Sequence, residues 1–335
     1  MKAYKKIIAA LLCALLIAAA FAGCTPAEKP EGGEATELKV AILQYMPHSS
    51  LDNCTQGVKN ALDKAGIKYD VQVGSSGSAY ADCESYAAQM AAKDYDLIIP
   101  VATPAALTAY SAVSGASKDI PVVFCAVSDP VEANLVQSLE APGNNCTGTA
   151  DAFDIPGQVK LIKQLQPELK TLGVLYTNSE ANSISQLRTL QAECDAAGIT
   201  LIAQGIQEAA ELAEAASVLI PKVDAITNLT DNNVVDNMQV FLTQAEEAGV
   251  PVYGSEIEQV KKGCIASASL DYVALGEKTG EMAIDILKGA KASEYAVVTV
   301  MDSFVVINSD VTEKLGITIP AELSEVETVK TDAAE

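Results

Sequence analysis

The chain has 335 residues, with 22 basic and 44 acidic side chains, a formal net charge of −22, one histidine and no tryptophan. That length supports two lobes of ordinary domain size. The charge argues against nucleic acid, whose phosphates need basic patches, and against anionic lipid surfaces. With His48 the only histidine and Arg188 the only arginine, no histidine cluster can form, and an anionic ligand must be held by backbone N–H groups or lysine.

At the start, Lys2, Lys5 and Lys6 precede the uncharged apolar run Ile7 to Ala22, closed by Phe21-Ala22-Gly23-Cys24. This is a secretory signal pattern, and at about 16 residues the run is shorter than the ~20 a spanning helix needs. Its last four residues resemble a bacterial lipobox, in which Cys24 becomes the lipidated N-terminus, although Phe21 stands where Leu is usual. The segment Thr25 to Glu37, rich in Pro, Gly and Glu, reads as a flexible tether.

From Lys39 onward, strands alternate with helices. Lys39–Gln44 predicts a strand, and Ser49–Ala65 predicts a helix with Leu51, Cys54, Val58, Leu62 and Ala65 at helical spacing and Gly66 as its stop. Lys68–Gly74, Asp96–Val101, Pro121–Ala126 and Cys146–Thr149 are further strands, with helices between them. Thr171–Thr177 then restarts the series, and a helix over Ala181–Ala197 ends in CDAAGIT, an echo of LDKAGIK at 62–68. Val40 and Gly66 fall on Leu172 and Gly198, 132 residues on; YDLIIPVATPAA (95–106) falls on VDAITNLTDNNV (223–234) at 128; IPVVF (120–124) falls on VPVYG (250–254) at 130. Three echoes in one order predict two copies of a doubly wound parallel α/β lobe. Cys264–Leu270 reads as a strand feeding the helix Tyr272–Gly289, with Asp271 at the hinge.

Two such lobes enclose a cleft at the carboxyl ends of their strands. Thr103 takes an N-cap position and Pro104 the first helical position, so the N–H groups of Ala105 and Ala106 make an anion seat. Ser128 and Ser49 or Ser50 can add hydroxyls. An ordinary helix start with nothing bound is the alternative. In the internal alignment Asp231 falls on Thr103, which suits a zwitterion, its carboxylate toward lobe one and its ammonium toward Asp231; Asp231 as a simple helix cap is the competing reading. Tyr45, Phe124, Phe153, Tyr176, Tyr253 and Tyr272 are candidates for an apolar wall, some of them for the core. Arg188 lies mid-helix beside an apolar stripe and reads as a solvated surface charge. Cys54, Cys83, Cys125, Cys146, Cys194 and Cys264 show no metal spacing and read as small core residues rather than disulfides.

Several long segments, in order, resemble one family: ILQ at 42–44 with His48, DLIIPVATPAA (96–106), IPVVFCAVSDPVEANLV (120–136), PGNNCTGTAD (142–151), GVLYTNSEANS (173–183), VDAITNLTDNNV (223–234) and SLDYVALGEKTGEMA (269–283). The chain is similar there to the ABC-transporter substrate-binding lipoproteins associated with tryptophan and tyrosine uptake. The resemblance implies a periplasmic-binding-protein type I (Venus-flytrap) fold, two doubly wound lobes joined by three crossings. It implies an ABC permease and its ATPase as partners, attachment to the membrane through the lipid alone, a small amino-acid ligand of aromatic kind, and no enzymatic activity, cofactor or metal. Carried over, the cleft residues are Gln44, Tyr45 and His48, Thr103 and Ala105, Ser128, Ser179 and Asn182, Asp231 and Asn232, and Asp271. Met46-Pro47-His48-Ser49 and SASLDYVA depart from the family's usual residues beside the cleft.

The resulting division is 1–23 signal, 24–37 lipidated cysteine and tether, 38–149 plus 271–300 lobe one, 150–270 plus 301–320 lobe two, and 321–335 a C-terminal tail. Two other functions compete: a ligand-sensing lipoprotein that docks to a receptor, and a cofactor-free racemase-like enzyme. The latter needs one thiol per lobe at matched positions. Cys125 falls on Ser255 and Cys54 on Gln186, so the repeat supplies no such pair.

Overall fold

The structure is a computed structural model and describes residues 38–116, 119–300 and 303–332. The signal, Cys24 and the tether lie outside the described residues. None of the described helices is long and apolar enough to cross a membrane.

The two copies read in the sequence are two sheets with one strand order. In the first, β1 (Lys39–Gln44) lies between β2 (Lys68–Val73) and β3 (Leu97–Val101), followed by β4 (Val122–Phe124), β5 (Cys146–Asp151) and β11 (Val298–Val300). In the second, β6 (Thr171–Thr177) lies between β7 (Thr200–Ile206) and β8 (Ala225–Thr227), followed by β9 (Val252–Tyr253). All these pairings are parallel. Even the register repeats: Lys39 faces Lys68, and Thr171 faces Thr200. Asp96 accepts from the Lys39 N–H, as Asp224 accepts from the Lys170 and Thr171 N–H groups. A smaller sheet joins β10 (Ala266–Ser269), β12 (Phe304–Asn308) and β13 (Glu327–Val329). The segment read as a C-terminal tail therefore carries a strand, paired parallel to β12.

Parallel strands covered on both faces need continuous apolar runs. Val40, Ala41, Ile42 and Leu43 are accordingly all fully buried. One core gathers beneath the first sheet, and two cores gather around the second and third sheets. The chain passes from the first sheet to the second after β5, returns between β10 and α10 (Tyr272–Leu287), and crosses again between β11 and β12. This is the two-lobed, doubly wound architecture with three crossings. All six body cysteines are buried free thiols.

Helix α1 (Ser49–Ala65) packs against α10 through glycines. A Cβ on Gly276 would overlap the carbonyl of Cys54, and one on Gly57 would overlap that of Val273. Gly276→Ala gains roughly 1 kcal/mol of helix propensity but must push two backbones apart, at about 1–3 kcal/mol or more. A lower melting temperature is expected; an unchanged or raised one would show that the helix pair has slack.

Candidate functional site

A narrow cavity of about 30 Å³ lies where the carboxyl ends of the strands from the two lobes meet, the position at which open α/β sheets bind ligands. Its walls come from the segments that follow β1, β3, β4, β6, β8 and β9, from the last residue of β5 and from the start of α10. Helices α1 and α3 (Thr103–Gly115) both begin at it, and neither start is capped by a side chain. First-turn N–H groups have no partner inside their own helix, so both starts present donors and positive dipole ends. Ser50 and Thr103, both buried, line the same wall.

The backbone is strained where it turns into this wall. Ala102 has φ 83° and Ala126 φ 56°, a region that costs a residue with a Cβ about 1–3 kcal/mol. Both alanines line the cavity, and the Ala102 N–H is tied to the Cys125 carbonyl at 3.0 Å. Ala102 is thus the N-cap and Thr103 the first helical residue, so the helix begins one position earlier than the sequence suggests.

In the second lobe the short helices cap themselves. Asp231 precedes α7 (Asn232–Asp236), and Glu256 precedes α9 (Ile257–Lys261). Asp231 accepts four hydrogen bonds: from the Thr177 N–H at 2.6 Å, Thr177 Oγ1 at 2.8 Å, Ser183 Oγ at 2.6 Å and the Val234 N–H at 3.0 Å. It lines the cavity, but its carboxylate is filled by its own lobe, as the cap reading requires. Glu180, buried beside it, braces the amides of Asn182, Asn232 and Asn233. Burial and the charge of Asp231 push the Glu180 carboxyl up to about 8.

Asp151 differs from these acids. It ends β5, is 3 % exposed and accepts only two long side-chain bonds, from Ser128 Oγ at 3.2 Å and from the Tyr272 hydroxyl at 3.3 Å. Burial drives its carboxyl up to about 7. Glu256, bound by the Glu258 and Gln259 N–H groups, is pushed by burial to about 7 as well. Two other polar atoms at the cavity are orphaned: Asn182 Oδ1 and His48 Nδ1. His48 Nε2 meets Asn232 Oδ1 at 3.2 Å, and burial lowers the imidazole's pKa.

Of the residues predicted for the site, His48, Thr103, Ser128, Asn182, Asp231 and Asn232 come together at the cavity. The others lie outside its lining. Gln44 turns inward, donating to the Met46 carbonyl and to Asp52 and accepting from Thr55. Tyr45, Ala105 and Ala106 belong to the core of the first lobe, and the Ala106 N–H is spent on the Ala102 carbonyl at 3.0 Å rather than left free. Ser179 is exposed in a turn. Asp271 is an exposed cap for the Val273 and Ala274 N–H groups, while its neighbour Tyr272 reaches the cavity. Glu256 lies in the segment Gly254–Glu258 expected after its strand, whereas Asp151 and Gln259 are polar lining residues that the sequence reading missed. Among the described residues, no group of three or more His, Cys, Asp or Glu side chains is placed to hold a metal ion.

A two-lobed frame with a polar cavity at the strand ends is the architecture of a solute-binding protein. The family described as ABC transporter substrate binding protein matches residues 39–330, and the chain belongs to it. It is 33 % identical over 324 residues to the Tyrosine-binding protein of Clostridioides difficile (strain R20291), covering 93 % of this chain and 92 % of that one. Among solved structures it is similar to an ABC domain from Streptococcus pneumonia in complex with L-Trp, with 34 % identity, a TM-score of 0.84, and coverage of 88 % of this chain and 100 % of the other. The ligand-free, open structure of a substrate-binding protein with adhesive properties from Clostridium difficile is 35 % identical, with the same coverage but a TM-score of 0.66.

Proposed function

We propose that this protein captures an aromatic amino acid, tyrosine or tryptophan in type, between its lobes and hands it to an ABC permease driven by its ATPase. In this reading Cys24 carries the lipid that holds it at the outer face of the membrane. Residues 38–149 with 271–300 form one closing body, and 150–270 with 301–320 form the other. The observation that carries the ligand class is Asp151, a buried and under-bonded carboxylate beside two uncapped helix starts. The ligand's ammonium meets Asp151, and its carboxylate meets the first turns of α1 and α3 with Ser50 and Thr103. The orphaned Asn182 Oδ1 accepts from a donor on the ligand, such as a phenol or an indole N–H. Similarity to the L-Trp complex exceeds that to the open protein at nearly equal identity, which supports reading this conformation as closed. No cysteine lines the cavity, so thiol-based racemisation finds no support there.

The sign of the pH dependence follows from Asp151. Without ligand its carboxyl titrates at about 7, far above an exposed aspartate, so ionising it costs folding stability as pH rises from about 4 to 7. An ammonium favours the ionised form, so binding releases a proton below pH 7. Affinity for L-tyrosine should therefore be about tenfold weaker at pH 6 than at pH 8. Calorimetric titration with L-tyrosine, L-tryptophan and N-acetyl-L-tyrosine tests this. The free amino acids should bind with that slope, and the acetylated one should fail. Equal binding of the N-acetyl compound would overturn the ammonium site.

A further inference from the structure

Helix α5 (Ala181–Ala197) rises from the second lobe, yet one of its turns grips a loop of the first. Ser185 Oγ donates to Asp129 Oδ2 at 3.3 Å, and Gln186 Nε2 donates to Ser128 Oγ at 3.0 Å. Arg188 donates to both oxygens of Glu132, at 3.0 and 2.7 Å. The three acceptors lie in the segment after β4. The sole arginine of the chain is therefore spent on a two-pronged bond across the cleft, the geometry that only a guanidinium gives. Both partners stand outside the cavity lining. Arg188 holds the Glu132 carboxyl below its ordinary range.

We propose that Arg188 and Glu132 form a closure latch: a pair that touches no ligand, holds the lobes together, and so sets the population of the binding-competent state. The proposal rests on the reading that capture works by lobe closure. In a chain of net charge −22 the two lobes carry like charge that opposes their approach, and this pair supplies a specific attraction. Apparent affinity scales with the closed fraction, so the latch is a positioning device. With Arg188 66 % and Glu132 34 % exposed, solvent screening keeps the effect moderate, about two- to fivefold in the dissociation constant.

The test uses Arg188→Gln, Glu132→Gln and the double exchange Arg188→Glu with Glu132→Arg, in the full folded chain at low ionic strength. Small-angle scattering without ligand should give a larger radius of gyration for each single variant and a value near wild type for the exchange. L-tyrosine should bind the single variants about two- to fivefold more weakly, with recovery in the exchange, and added salt should erase the difference. Unchanged scattering in the single variants overturns the latch whatever the ligand is. Shifted scattering with unchanged L-tyrosine affinity overturns its role in affinity. Shifted scattering in a protein whose wild type binds neither L-tyrosine nor L-tryptophan leaves the latch standing and refutes the ligand assignment instead.

Discussion

Asp151→Asn should weaken L-tyrosine binding by about 100-fold or more while leaving the fold intact. The side chain keeps its shape; Ser128 Oγ donates to one carboxylate oxygen and the Tyr272 hydroxyl to the other, so the amide keeps an acceptor for one of them and the other hydroxyl turns to accept from its NH2. What disappears is the charge facing the ligand's ammonium. Removing one partner of a buried ion pair costs roughly 3–5 kcal/mol, and every ~1.4 kcal/mol is tenfold in affinity. The same substitution should act in the opposite direction on the ligand-free protein. A carboxyl driven up to about 7 by burial is ionised at pH 8 at a cost, and a neutral amide avoids that cost. The variant should thus melt higher than wild type at pH 8 without ligand, and the pH slope of its affinity should flatten. Calorimetry and thermal melting on one preparation read both signs. Wild-type affinity in Asp151→Asn would remove Asp151 from the site.

The frame was legible in the sequence because its rules are local and repeated. An apolar run such as Val40 to Leu43 has one stable use, a strand covered on both faces. The two glycine stops Gly66 and Gly198 both adopt the left-handed conformation, at φ 68° and 69°, which the echo of the two helix ends already implied. The site was less legible, since the same residue types serve as caps and as ligand groups. Asp231 looks identical in sequence whether it faces an amine or a helix start, and only the four donors around it decide. Asp151 was missed for a boundary reason. The strand over Cys146–Thr149 was read as ending two residues short of the observed Asp151, so the acid fell outside the strand end. A charged residue closing five uncharged strand positions was the available signal. The turn at Ala102 left no signal, because its φ of 83° is a conformation sequence rules assign to glycine. Arg188 was read correctly as an exposed helix residue, but its partner Glu132 lies 56 positions away, across a gap that no periodicity spans.

Asp231→Ala should act on stability before it acts on binding. Its carboxylate organises the end of β6, the start of α5 and the start of α7 through Thr177, Ser183 and Val234. Removing it leaves four buried donors without an acceptor, and losing such a bonded charge costs about 3–5 kcal/mol. At roughly 2–4 °C per kcal/mol for a chain of this size, the melting temperature should fall by on the order of 10 °C. Glu180 modifies the outcome. Its raised pKa, near 8, comes first from burial and then from the charge of Asp231, so in wild type the stability that Glu180 contributes in its protonated form is lost as pH rises from about 4.5 through 8. With Asp231 gone, the Glu180 carboxyl titrates lower and that loss becomes smaller, so the stability deficit of Asp231→Ala should shrink toward pH 8 and widen toward pH 6. Any variant that remains folded keeps Asp151 and both uncapped helix starts, and should lose less affinity for L-tyrosine than Asp151→Asn does. Melting curves across pH with calorimetry at a temperature where the variant is native separate the two roles. Wild-type melting combined with a loss of binding above about 100-fold would make Asp231 the ammonium partner and leave Asp151 a buried spectator.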